Sequence, residues 1–151
     1  KYPDFFLEGV DLKRDCTDYA RSHNPSVRFQ TADYQKAIFH KTPDLLFNSL
    51  FCHHFTDEQL VDMLQWMHKN STQGFFIADL HRHGLAYYSI KLLTQLFSRS
   101  YLVKNDAPLS VSRGFTRSEW ETLLAKAGIT QYSIRWQWAF RFLIIVKHAQ
   151  T

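Results

Sequence analysis

Short apolar stretches alternate with amphipathic stretches of helix length along most of this chain, and that alternation restricts its fold more than any other feature. FFLEGVD (Phe5 to Asp11) reads as a buried strand. Lys13 to Ser22 reads as a helix that stops at Asn24-Pro25, because the residue before a proline is pushed out of the helical region. VRFQ (Val27 to Gln30) and DLLFNS (Asp44 to Ser49) are the next two strands. Thr56 has Gln59 three residues on, the spacing of a capping box, and Leu60, Met63, Leu64 and Met67 then recur on one helical face. GFFIADL (Gly74 to Leu80) is a fourth strand, and Leu85, Ile90, Leu93 and Leu96 to Phe97 mark a second amphipathic helix.

The end of the chain breaks the pattern. Thr116 and Glu119 form another capping box before a helix carrying Trp120, Leu123 and Leu124, with Gly128 just past its end as a C-cap. In QYSIRWQW, Tyr132, Ile134, Trp136 and Trp138 fall on one face and Gln131, Ser133, Arg135 and Gln137 on the other, the period of a half-exposed strand. FRFLIIVK follows almost at once, too close for a crossover helix, so the two pair as an antiparallel hairpin even though the usual Asn-Gly or Asp-Gly turn is missing. The expected fold is α/β, a Rossmann-like doubly wound sheet that is mostly parallel and closes with a C-terminal antiparallel hairpin.

A chain of 151 residues that is 45% hydrophobic can bury a sizeable core, and one compact domain is expected. Its formal charge of +4 is spread along the chain, which reads as a solvated surface and gives no indication of a nucleic-acid partner. The longest apolar run, Phe142 to Val146, is too short to cross a bilayer, so no membrane partner is expected. Two unpaired-looking cysteines, Cys16 and Cys52, suit a reducing, cytoplasmic setting. The stretch NSLFCHHFTDEQ places Cys52 beside His53 and His54, yet no C-x-x-C or H-x-x-x-H accompanies them. On an extended strand Cys52 and His53 would point to opposite faces, so no metal is expected.

In open α/β sheets ligands sit at the carboxyl ends of the strands, here Asp11, Asp33, Asn48 to His54 and Asp79 to His83. A carboxylate at Asp11 can accept from both vicinal hydroxyls of a ribose, or can cap the following helix. Asp33 in TADY can take an adenine amino group, or can close a turn.

The succession GVDL (Gly9 to Leu12), TADY (Thr31 to Tyr34), DLLFNSLFCHHF (Asp44 to Phe55), FFIADL, FTRSEWETLLAKAGI (Phe115 to Ile129) and the closing hairpin resembles class I S-adenosylmethionine-dependent methyltransferases of the small-molecule type, over nearly the whole chain. DLHRHGLAYY with LVKNDAPLSVSRGF is more narrowly similar to methyltransferases of bacterial polyketide and other secondary pathways. The resemblance implies S-adenosylmethionine as cofactor, with Asp11 on the ribose, Leu12 against the adenine, Asp33 on its amino group and Tyr34 in the same set. Asn48, Ser49 and Leu50 would lie beside the methionine portion. A pair such as His53 and His54 would close the strand over the methyl-donor pocket or cap the next helix. The family's first strand and glycine-rich loop have no counterpart here. In the family's sheet order that strand is central, so the resemblance implies a piece of a longer protein with unpaired strand edges.

Methyl transfer depends mainly on orientation and exclusion of water. A hydroxyl acceptor also needs a base, for which His54, His81 and His83 are candidates, each with a surface or capping role as the alternative. Arg82 and Arg113 can bind an acidic substrate group, and Tyr87 and Tyr88 can line an aromatic or lipophilic pocket for a polyketide-like acceptor. A nicotinamide-dependent oxidoreductase and a non-catalytic interaction domain stay open, as does a homodimer. The first of these leaves the hairpin and the FTRSEW helix before it unexplained.

Overall fold

In the computed structural model, which describes residues 5–148, strand β1 is Glu8–Asp11, helix α1 is Arg14–His23 and strand β2 is Arg28–Thr31, followed by a 3₁₀ turn at Tyr34–Lys36. β1 and β2 pair in parallel, with Glu8 opposite Arg28 and Asp11 opposite Thr31. A Glu8–Arg28 ion pair at 2.9 Å sits on the first rung, and the second Glu8 oxygen accepts from the His40 N–H. Buried Thr17 shares a 2.6 Å hydrogen bond with Thr31, which fixes α1 on β2. The strand is shorter than the run of apolar residues. Phe5, Phe6 and Leu7 lie outside the ladder and are exposed, because the chain opposite them is still turning out of α1 through Asn24-Pro25.

A second compact unit begins at Pro43 and has its own internal contacts. It runs β3 (Leu45–Ser49), a 3₁₀ turn (Cys52–His54), α2 (Asp57–Lys69), β4 (Gly74–Leu80), α3 (Gly84–Phe97), α4 (Tyr101–Ser112), α5 (Arg117–Lys126), β5 (Tyr132–Gln137) and β6 (Arg141–Lys147). The sheet order is β3-β4-β6-β5, with β3 and β4 parallel and the other two pairings antiparallel. Among the described residues, the outer edges of β1 and of β3 pair with no strand.

One face of this four-stranded sheet carries the core. Phe75 and Ile77 of β4, Phe142, Ile144 and Val146 of β6 and Ile134 of β5 are buried together with Leu60, Met63, Leu64 and Met67 of α2 and Trp120, Leu123 and Leu124 of α5. Both helices start with the capping boxes legible in the sequence, Thr56 with Gln59 and Thr116 with Glu119, each contributing about 1 kcal/mol. The hairpin turns without glycine: in the three-residue connection between Gln137 and Arg141, Ala139 and Phe140 sit at φ 65° and 55°, in the left-handed region. β4 opens at Gly74 with φ 132°, where a Cβ would lie 2.1 Å from the Val146 carbonyl oxygen, so only glycine fits.

Two helices depart from expectation. α4 is unannounced in the sequence because its apolar residues have no helical period: Leu102, Val103 and Leu109 are exposed, while Pro108 and Val111 are buried. Pro108 sits inside this helix, where it removes one backbone donor. α3 forms as predicted, but the stripe that predicts it does not face a core. Leu85, Leu93, Leu96 and Phe97 are 50–79% exposed and the buried residues are Ala86 and Thr94. α3 and α4 pack on each other.

Candidate functional site

Asp79, next to last in β4, lies on the core face of the sheet with Phe75 and Ile77, and its side chain is fully buried. A carboxylate is stable there only if donors surround it. Four do: Oδ2 accepts from the Phe51 N–H at 3.0 Å and the Cys52 N–H at 2.7 Å, and Oδ1 from the Leu80 N–H at 2.7 Å and His53 Nδ1 at 2.8 Å. The Phe51 and Cys52 donors come from the segment that leaves β3, where Leu50 takes φ 53°, a value unusual for a branched residue, and so swings the next two N–H groups onto Asp79. Cys52 and His53 therefore belong to a 3₁₀ turn, and the extended geometry expected of them does not apply.

The hydrogen bond to Asp79 decides the chemistry of His53. With Nδ1–H donated to the carboxylate, Nε2 is the ring's acceptor, held in one tautomer and one orientation. The imidazole is nearly enclosed, at 4% side-chain exposure, yet it lines an open cleft of about 370 Å³ together with His54, Phe55, Thr56, Asp57, Arg82, Arg113, Gly114, Phe115 and Glu119. Burial, reinforced by the Asp79 charge, pushes the Cys52 thiol well above its ordinary pKa despite a hydrogen bond to Asn48, so Cys52 stays protonated behind the site.

The opposite wall is laid against the end of β4. The Phe115 N–H donates to the Leu80 carbonyl at 2.9 Å and the Arg82 N–H to the Phe115 carbonyl at 3.0 Å, an added parallel bridge beside His81. Gly114 permits this approach, since a Cβ there would lie 2.7 Å from the Leu80 carbonyl oxygen. Arg82 pairs with Glu119 and donates to the Gly114 carbonyl at 3.2 Å. Burial alone would raise the Glu119 carboxyl, but the Thr116 N–H and the Arg82 guanidinium outweigh it and hold the carboxyl below its ordinary range. Among the described residues Arg113, at the end of α4, makes no ion pair. We expect Gly114→Ala to cost about 1–3 kcal/mol by forcing this wall off β4. Thermal denaturation would register the loss, and a melting temperature equal to that of the unchanged protein would contradict it.

The other residues singled out from sequence are placed as follows. His54 lines the cleft and is exposed. His83 is the N-cap of α3, its Nδ1 accepting from the Leu85 N–H at 3.2 Å, and its ring stacks on Phe140. His81 packs on Phe142, and burial, then the His83 charge, lowers its pKa. Tyr87 and Tyr88 meet edge to face at 5.3 Å outside the cleft lining, with Tyr88 exposed. Asn48 turns toward α2, its amide against the Met63 and Met67 sulfurs at 3.7 Å, while Ser49 and Leu50 are exposed. In the first unit Asp11 accepts from the Lys13 N–H at 2.7 Å and Asp33 from the Gln35 N–H at 3.0 Å. Leu12 is exposed and Tyr34 begins the 3₁₀ turn. Among the described residues no group of three or more His, Cys, Asp or Glu is arranged to hold a metal ion. Also among them, no helix is long and apolar enough to cross a membrane.

His53 was not among the bases proposed from sequence, although a signal existed. The alternation of GFFIADL puts Asp79 on the face of Phe75 and Ile77, and a carboxylate at a core position demands a partner from a neighbouring loop. Choosing His53 over His54 needed the 3₁₀ turn.

No protein-family profile matches the chain, and no curated protein matches it in sequence. Solved structures do match in fold. The plantazolicin methyltransferase BpumL, in complex with a triazolic desmethylPZN analogue and S-adenosylhomocysteine, superposes with a TM-score of 0.71 at 16% identity, over 95% of this chain and 68% of that one. The magnesium protoporphyrin IX methyltransferase of Synechocystis, with bound S-adenosylhomocysteine, gives 0.62 at 12% identity over 95% and 64%. Human N-acetylserotonin methyltransferase, in complex with S-adenosylmethionine, gives 0.62 at 13% identity over 96% and 40%. The chain thus has the fold of the class I S-adenosylmethionine-dependent methyltransferases, and it spans 40–68% of the length of these three.

Proposed function

We propose that this chain is part of a methyltransferase that moves the methyl group of S-adenosylmethionine to a hydroxyl of a small, aromatic or polyketide-like molecule, with His53 as the proton acceptor. One observation carries the reading: a buried carboxylate, Asp79, fixes the tautomer of a histidine that lines an open cleft at the carboxyl end of the sheet. The likeness in fold to methyltransferases solved with S-adenosylmethionine or its demethylated product supports it.

The bound cofactor supplies an electrophilic methyl on a sulfonium, so the protein's task is orientation and proton removal. Transfer to a hydroxyl would release that hydroxyl's proton, which Nε2 of His53 would take up. The Asp79 carboxylate orients the ring through Nδ1 and would stabilise the imidazolium as it forms. The buried Asp79 carboxylate fits this role because its remaining lone pairs are already occupied by three backbone donors. The unpaired Cys16 and Cys52 suit a reducing, cytoplasmic compartment for this reaction.

In the first unit Asp11 suits the cofactor's ribose. It is exposed at the carboxyl end of β1, and among the described residues only its Oδ1 is engaged, by the Lys13 N–H. Asp11→Ala is expected to weaken S-adenosylhomocysteine binding by about 2–4 kcal/mol, and to cost about 1 kcal/mol of stability through the lost Lys13 contact. Calorimetric titration of the intact protein with S-adenosylmethionine, S-adenosylhomocysteine and NAD tests the whole reading. Binding of NAD alone would replace it with a hydride-transfer function, and an unchanged affinity in the alanine variant would remove Asp11 from the cofactor.

A further inference from the structure

The cleft that His53 lines also carries charge in an uneven arrangement. Arg82 and Glu119 neutralise each other across it. Asp57 stands in the first turn of α2, where the positive end of the helix stabilises its charge. His54 lies on the same wall as Asp57. That leaves Arg113, whose guanidinium has no carboxylate partner among the described residues although it lines the same cavity. Its position is determined by the fold: Arg113 closes α4, and the next residue, Gly114, is held so close to the Leu80 carbonyl that no side chain fits there. An arginine presented in this way offers a planar fork of donors matched to a carboxylate.

From this we infer that the acceptor is a hydroxy acid: its hydroxyl faces His53 and its carboxylate is bound by Arg113. A monovalent anion is favoured over a phosphate dianion because only one cation in the cleft lacks a countercharge. The volume of about 370 Å³ is at the small end for ligand pockets and suits a single substituted ring. The inference rests on the methyl-transfer reading for the reaction but not for the binding step, and that separates their tests.

Ligand-observed NMR on the intact protein would compare 2-, 3- and 4-hydroxybenzoate with the three matching hydroxybenzamides, which keep the shape and remove the charge. The unchanged protein should bind at least one acid roughly tenfold tighter than its amide, the worth of a hydrogen-bonded charge pair. Arg113→Gln should bring that ratio close to one, Arg113→Lys should keep part of it, and His53→Gln should leave it intact. Since Arg113 is exposed, the melting temperature should not move in either Arg113 variant. The absence of an acid preference, including failure of all six compounds to bind, overturns the inference, as does a preference that survives in Arg113→Gln. An acid preference with no methyl transfer to any acid overturns the reaction reading instead.

Discussion

Asp79→Ala is expected to destabilise the second unit by about 3–5 kcal/mol, the scale of breaking a buried hydrogen-bond network built on one acceptor. The carboxylate holds the N–H groups of Phe51, Cys52 and Leu80 and the ring of His53, and its removal leaves four donors, buried or part-buried, without an acceptor. Each such donor costs about 1–3 kcal/mol unless it reaches water, and the turn at Cys52–His54 will partly open to let that happen. The loss should therefore fall short of the sum over the donors. Asp79→Asn should be milder, because its carbonyl still accepts while its amide group confronts donors with donors. Urea denaturation of both variants measures the order. A loss under about 1 kcal/mol for the alanine variant would mean that water already satisfies these groups, and the enclosed dyad would have to be abandoned.

The same carboxylate shows why part of the site was legible in sequence and part was not. Capping boxes at Thr56 and Thr116 are local, fixed by residues three apart, and both helices start where the sequence places them. The alternation in QYSIRWQW and FRFLIIVK gave the two strands, but nothing in the Trp138-Ala139-Phe140 segment signalled a turn built on two positive φ values without glycine. α4 was invisible because a helix whose apolar residues face solvent, with Pro108 inside it, matches no template. The dyad is non-local. It exists because β3 and β4 pair in a register that sets Ser49 opposite Ala78, so the segment leaving β3 passes over Asp79 one rung further on. Sequence placed both residues at the carboxyl edge of the sheet, but register decided that His53 turns inward while His54 faces solvent.

That distinction gives the second large expectation, which concerns rate. His53→Gln should lower the turnover number for methyl transfer to a hydroxyl by about 10²–10⁴, the usual contribution of a positioned general base. Binding of S-adenosylhomocysteine should be unchanged, since the residue is assigned to the acceptor's proton. Glutamine can still donate to Asp79, so the fold should survive, and a melting temperature near the original would show that the lost rate is not lost structure. His54→Gln, beside it in the same cleft, should change the turnover number by no more than a few-fold, on the order of what a group outside the proton path contributes. A third variant tests whether Asp79 acts through the ring. If its catalytic effect is to orient and stabilise His53, adding Asp79→Asn to His53→Gln should lower the rate little further, although each alone is damaging, because residues that act as a unit are not additive. Single-turnover measurements on the original protein, the three single variants and the double variant separate these outcomes. Rates in His53→Gln within a few-fold of the original would show that the acceptor loses its proton elsewhere, and a large effect in His54→Gln would move the base to the outer histidine.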